Sequence, residues 1–173
     1  QLLEKDNFMR VYHDTAYGYP VTNDNELFER LILEINQAGL SWSIILKKQQ
    51  SFRKAFHQFN IKKVAAYKET DRQRLLNNEG IIRNRLKIDA AIYNANIILQ
   101  LQKEFGSFKN WLDENHPKTK QEWMSLFKST FKFTGGEFVN EFLVSTGYLP
   151  NAHEEFCPLY KKVLKTKPHW GHK

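Results

Sequence analysis

Leu75-Leu76-Asn77-Asn78-Glu79-Gly80-Ile81-Ile82-Arg83-Asn84-Arg85-Leu86-Lys87-Ile88 has the pattern of two helices joined by a short turn. Leu75 and Leu76 end one helical segment and Gly80 interrupts it. Beyond the turn Ile88, Ala91, Ile92, Ala95, Ile98 and Leu99 recur at helical spacing. Helix, short glycine-bearing turn, helix is one way to aim backbone N–H groups at a phosphate. Gly80 would let the backbone approach closely, and Arg83, Arg85 and Lys87 follow at once. Taken alone the pattern is common, because many helical hairpins carry a glycine.

On either side of this run the periodicity stays helical. Thr22 or Asp24 caps a helix running to about Ala38, with Leu27, Phe28, Leu31, Ile32 and Ile35 as its apolar stripe and Glu34 on the flank of that stripe. Gly39 ends it and Ser41 restarts a helix through Trp42, Ile45 and Leu46. Ser51 caps a further helix with Phe52, Phe56 and Phe59 apolar. A helix over 61–67 follows, then Thr70 caps one over 71–77. Downstream lie a long helix over 84–105, short ones over 108–115 and 120–130, and a buried one over 137–146 closed by Gly147. The tail, 160–173, is basic and reads as partly loose. No segment alternates as a strand would. The reading is all-α, one domain over 1–173, with the hairpin at about 71–104.

The aromatic share of 14%, thirteen Phe included, excludes a disordered chain. The formal charge is +7, and its location matters more than its size. Between Ile35 and Lys68 there is no acid, while Lys47, Lys48, Arg53, Lys54, Lys62, Lys63 and Lys68 equal the whole excess. So one-sided a segment fits a phosphate-facing surface as well as it fits a solvated helix face. The single Cys157 excludes an internal disulfide and fits a reducing, cytoplasmic setting. No apolar run reaches membrane-spanning length, and no signal-peptide pattern opens the chain. A start at Gln1 rather than Met reads as the loss of preceding natural residues.

Two constellations carry chemistry. In Glu34-Ile35-Asn36-Gln37-Ala38-Gly39-Leu40-Ser41-Trp42 a carboxyl flanks an apolar stripe, an amide follows three residues on, and a Trp comes after the turn. That reads either as a helix end with a core Trp, or as a pocket for a flat, electron-poor base. In the second, His153 and Cys157 are placed four apart, as on one helical turn, and His13 makes a third ligand of the types zinc prefers. Structural zinc normally takes four.

Taken together, these segments resemble the 3-methyladenine DNA glycosylase I (Tag) family. The matching blocks are Tyr12-His13-Asp14-x-x-Tyr17-Gly18-x-Pro20, Leu27-Phe28-Glu29, Gln37-Ala38-Gly39-Leu40-Ser41-Trp42 and Phe52-Arg53-x-x-Phe56. Then come Gly80-Ile81-Ile82-Arg83-x-Arg85-x-Lys87-Ile88, Phe131-Lys132-Phe133-x-Gly135 and Gly147-Tyr148-Leu149-x-Asn151-x-His153-x-x-x-Cys157. They stand in family order and cover about residues 1 to 160. The resemblance implies a helix-hairpin-helix glycosylase fold with the chain ends joined by a zinc snap through His13, His153 and Cys157. It implies base-excision repair: hydrolysis of the N-glycosidic bond of N3-methyladenine in alkylated double-stranded DNA, by a protein expected to act as a monomer. By the same resemblance Glu34 is the catalytic group that hydrogen-bonds the extruded base, Tyr12 and Trp42 sandwich it, and Tyr17 and Gln37 border it. The Gly39-Leu40 turn presses into the gap left in the duplex. From the hairpin reading Gly80, Ile81 and Arg83, and from the basic segment Lys47 and Arg53, are expected to face DNA.

The chain departs from that pattern at three places. Leu2 and Tyr17 stand where the family usually has Trp, and Thr134-Gly135-Gly136-Glu137 lacks a Gly-Pro-Thr run. The family's remaining zinc Cys would fall one position before Gln1. No Asp is assigned to the sugar, and Asp89 reads as surface; the Tag-like expectation is catalysis by differential binding of the cleaved, neutral base. Two rivals remain at this stage: a weakened homologue that binds damaged DNA without cutting it, and a helical adaptor with no DNA role.

Overall fold

The computed structural model describes residues 2–171, with side chains from Asn7 onward. The Leu2 side chain, expected to leave one pocket wall short, and residues 172–173 of the tail lie outside the described residues. The described residues form helices α1 (Leu2–Thr15), α2 (Asp24–Gln37), α3 (Trp42–Ala55), α4 (Ile61–Ala65), α5 (Glu69–Leu76) and α6 (Arg85–Phe105), followed by α7 (Phe108–Asn115), α8 (Lys120–Thr130), α9 (Glu137–Ser145) and α10 (Tyr160–Lys165). Short 3₁₀ turns cover His57–Phe59 and His169–Gly171. No strand occurs among the described residues.

Helix α2 is the centre. It contacts α3, α6, α7 and α9, and every residue from Leu27 to Asn36 is buried. Burial on all sides forces its polar residues to find partners inside the protein. Glu29 accepts from Gln49 and from Arg53 Nε at 2.7 and 2.9 Å, Arg30 donates to the Tyr12 hydroxyl at 3.2 Å, and Asn36 donates to the Ile32 carbonyl at 2.8 Å. Glu34 alone of these four has no hydrogen-bond partner among the described residues. The N-cap of α2 is Asn23, not Thr22 or Asp24. Asp24 points elsewhere: its carboxylate accepts from the Phe108 and Lys109 amides and from Gln102, so it pins the start of α7 to the start of α2.

Several expected boundaries move. Ser51 does not cap a helix; α3 runs straight through it, and Ser51 packs against the hairpin turn, where a Cβ on Gly80 would come within 2.9 Å of Ser51 Cβ. Lys68 rather than Thr70 precedes α5, with Asp71 closing back on the Lys68 amide at 3.1 Å. The described part of the tail is folded rather than loose: the His169 ring stacks on Tyr148 at 4.3 Å between centroids. Helix α1 has no counterpart in the sequence reading because its apolar residues Phe8, Met9 and Val11 are exposed and form no buried stripe.

Arg53 was expected to face DNA, but its Nε is committed to the buried Glu29. Arg53→Ala is therefore expected to lower unfolding free energy by about 1–3 kcal/mol, since it leaves the buried Glu29 carboxylate with Gln49 alone. Lys47→Ala, on an exposed position of α3, should leave stability unchanged. Urea denaturation of both variants checks the contrast.

Candidate active site

The C-terminal end of α2, the start of α3, the end of α1 and the middle of α9 enclose a cavity of about 290 Å³. That is the size range of a pocket for a small planar ligand. Tyr12, Tyr17 and Trp42 form its aromatic walls, and Glu34, Gln37 and Glu141 supply its polar groups. Glu34 is 4% exposed. Burial, and then the charge of Glu141, push its carboxyl up to about 8, with Arg30 opposing. Near neutral pH it is a protonated acid able to donate as well as accept.

The sequence reading places Glu34, Tyr12, Tyr17, Gln37 and Trp42 around one site, and the structure brings all five together. The expected sandwich is not preformed. Tyr12 and Trp42 meet edge to face, at 61° and 5.4 Å between centroids, so they are adjoining walls with no slot between them. Tyr12 is held by Arg30, which bonds its hydroxyl and lies 5.3 Å from its ring centre. Burial pushes the Tyr12 hydroxyl up to about 12, so it is a donor at any physiological pH.

Below the pocket, the α2–α3 turn is tied from three sides. Gly39 sits exposed with φ +77, a conformation that costs other residues, while Leu40 packs partly on the core and donates its N–H to the Gln37 carbonyl at 2.8 Å. The Gln37 amide returns to the Leu40 carbonyl at 3.3 Å. Lys87, which the sequence grouped with the hairpin cations, is buried and donates to the carbonyls of Asn36 and Ala38 at 3.1 and 3.3 Å. A cation on the last carbonyls of α2 satisfies its C-terminus.

Beside the pocket lie His13, His153 and Cys157, with ligand atoms all within 4.8 Å of one another. They are not arranged on a helical turn as expected: residues 153–157 form an irregular turn, closed by the Cys157 amide on the Glu154 carbonyl at 2.8 Å. His153 Nε2 donates to the Tyr17 carbonyl at 2.8 Å, and His13 Nδ1 donates to Asp14 at 2.8 Å, an interaction that also holds the Asp14 carboxyl below its ordinary range. In neutral rings that donate through both outer nitrogens, the inner ones, His153 Nδ1 and His13 Nε2, 3.2 Å apart, carry the lone pairs. Cys157 Sγ is 3.7 Å from the same His153 nitrogen. Facing lone pairs beside a thiol fit a bound zinc, with second partners orienting both rings.

Residues 2–126 match the family described as methyladenine glycosylase. The chain belongs to the methyladenine glycosylase family. It is 37% identical to DNA-3-methyladenine glycosylase 1 of Escherichia coli strain K12, over 91% of this chain and 94% of that protein. It is 36% identical to the DNA-3-methyladenine glycosylase of Haemophilus influenzae, over 85% and 89%. A solved 3-methyladenine DNA glycosylase I variant in complex with 3-methyladenine superposes with a TM-score of 0.81 at 32% identity, covering 89% of this chain and 92% of that one.

In this member of the family the hairpin is α5, the 77–84 turn and α6. Its first amides are occupied: the Gly80 N–H donates to the Asn78 side chain at 2.8 Å and the Ile81 N–H to the Asn78 carbonyl at 3.3 Å. Ile81 is itself 3% exposed, so it serves the core. Gly80 is required for close packing on Ser51. Arg85 forks onto Glu69 at 3.0 and 2.9 Å. Of the three cations after the turn, Arg83 remains half exposed, 3.9 Å from Glu79. Lys48 ties α3 to the hairpin through the Glu79 carbonyl at 2.9 Å, so the exposed Lys47 and Arg83 belong to adjoining elements.

Glu141 was missed in the sequence. It lies in a segment read as simply buried, yet an acid among Phe138, Val139, Phe142, Leu143 and Val144 was a signal of the same kind as Glu34.

Proposed function

We propose that this protein is a monofunctional DNA glycosylase that releases N3-methyladenine from alkylated double-stranded DNA and leaves an abasic site, acting as a cytoplasmic monomer. The observation that carries the reading is Glu34: buried, facing an aromatic-walled cavity, and without a hydrogen-bond partner among the described residues. A buried polar group of this kind costs stability unless a ligand pairs with it.

N3-methylated adenine in DNA carries a positive charge. When its bond to the sugar breaks, the electron pair returns to the base, which leaves neutral, and the sugar becomes the cation. Water then adds to the sugar carbon and loses a proton. No proton need be delivered to the base. What changes during cleavage is the basicity of its ring nitrogens, poor acceptors in the cation and good ones in the neutral product. A protonated Glu34 donating to such a nitrogen binds more tightly as the bond breaks, which is differential binding of the transition state. Tyr12, Tyr17 and Trp42 supply faces for the flipped ring, with Tyr12 and Trp42 separating as it enters. Gln37, Gly39 and Leu40 form the turn nearest the gap in the duplex, and Lys47 and Arg83 supply charge for phosphates. Lys47→Ala is expected to flatten the salt dependence of DNA binding by about one unit of log–log slope.

Zinc belongs to the same proposal. His13, His153 and Cys157 would hold it, clamping α1 to the C-terminal segment beside the pocket and leaving the chemistry to Glu34. Metal analysis of protein refolded with zinc should find about one zinc per chain, and a chelator should lower its melting midpoint. Retention of no zinc, or an unmoved midpoint, contradicts the clamp.

The test of function is release of free 3-methyladenine from methylated duplex. Release is the expected result. Tight, salt-sensitive binding without release would instead establish the damaged-DNA sensor.

A further inference from the structure

Glu141 brings a second acid into the pocket that the mechanism above does not use. Its carboxyl lines the cavity with Glu34, and α9 projects it from a stretch of apolar neighbours. The Tyr17 hydroxyl donates to its Oε2 at 3.2 Å and the Asn140 side-chain amide reaches Oε1 at 3.5 Å. Both partners are neutral. Among the described residues no cation pairs with Glu141, while Arg30, on the neighbouring α2, is committed to Tyr12, Ala16 and Glu26. A half-buried carboxylate in an aromatic cavity therefore stands without a counter-ion.

We infer that Glu141 is a specificity-determining residue: its carboxylate is the counter-ion for a positively charged purine and selects alkylated, cationic bases against neutral ones, while Glu34 reads the ring edge. This rests on the base-excision reading above. Its chemistry is complementary to that of Glu34. The charge of Glu141 is the second cause, after burial, that keeps Glu34 protonated, so one acid acts as donor and the other as charge. A neutral base gains no attraction from that charge. The substrate's positive charge passes from base to sugar during cleavage without being lost. The attraction is thus largely common to ground and transition states, and its removal should appear in KM more than in kcat.

The experiment is steady-state excision from methylated duplex, with free neutral adenine as a competing inhibitor, for wild type, Glu141→Gln and Glu141→Asp. Glu141→Gln keeps an acceptor for the Tyr17 hydroxyl and removes only charge. It should raise KM about tenfold with kcat changed by less than about threefold, and leave adenine inhibition unchanged. Glu141→Asp, which keeps the charge, should stay within about threefold of the wild-type KM. If the melting midpoint shows Glu141→Gln to be poorly folded, Glu141→Ser is read in its place with the same expectation. An unchanged KM, or equal weakening toward methylated DNA and adenine, overturns the inference while wild-type activity stands. Absence of release by the wild type removes the reading beneath it as well.

Discussion

Glu34→Gln is expected to release 3-methyladenine about 100-fold more slowly than wild type, the lower end of what one preorganised hydrogen-bond donor contributes. The fold should survive, because no hydrogen bond within the described protein reaches Glu34 and glutamine has its shape. What is lost is donor strength: an amide N–H is a far weaker acid than a carboxylic O–H, and the contact must strengthen as the base gains its electron pair. The measurement is kcat/KM for free base released, beside the melting midpoint. A wild-type rate in the Gln variant would remove Glu34 from the chemistry.

Trp42→Ala should lower kcat/KM by roughly 10- to 100-fold, the value of one stacking face for a base. Trp42 is half-buried and packs edge-on to Tyr12, so truncation opens the cavity more than it hollows the core. Trp123, fully buried, is the useful contrast, since its truncation should cost about 3–5 kcal/mol of stability. A Trp42→Ala protein that is destabilised but excises normally would return Trp42 to the core.

The legible parts of this molecule were those written in local chemistry. Helices α7 and α8 fall where Ser107 and Thr119 cap them, and Gly39 ends α2 through a backbone turn that a side chain would strain. Glu34 was legible because 100° per residue puts it beside the apolar stripe rather than opposite it. Features that depend on distant partners were not. Arg53 looks like any surface cation until Glu29, 24 residues earlier, is seen buried beside it. Lys87 looked like a phosphate ligand because nothing local shows that α6 passes the end of α2, 51 residues away. Ser51 has the composition of a cap, but a cap also needs a broken helix, and Ile45, Phe52 and Ala55 continue one buried face through it. The cluster of His13, His153 and Cys157 was legible in its residue types but not in its geometry, since an irregular turn, not a helix, brings Cys157 back to His153.

The most direct test is the pH dependence of kcat/KM for wild type and Glu34→Gln. This quantity reports the free enzyme, whose Glu34 carboxyl sits at about 8. The protonated form is the active one, so wild-type kcat/KM should hold level below that pH and fall as pH rises through it, while the slower Gln variant should show no such fall. A wild-type profile that is flat across pH 8, or the same descending limb in both proteins, would contradict a protonated Glu34 at the centre of the pocket.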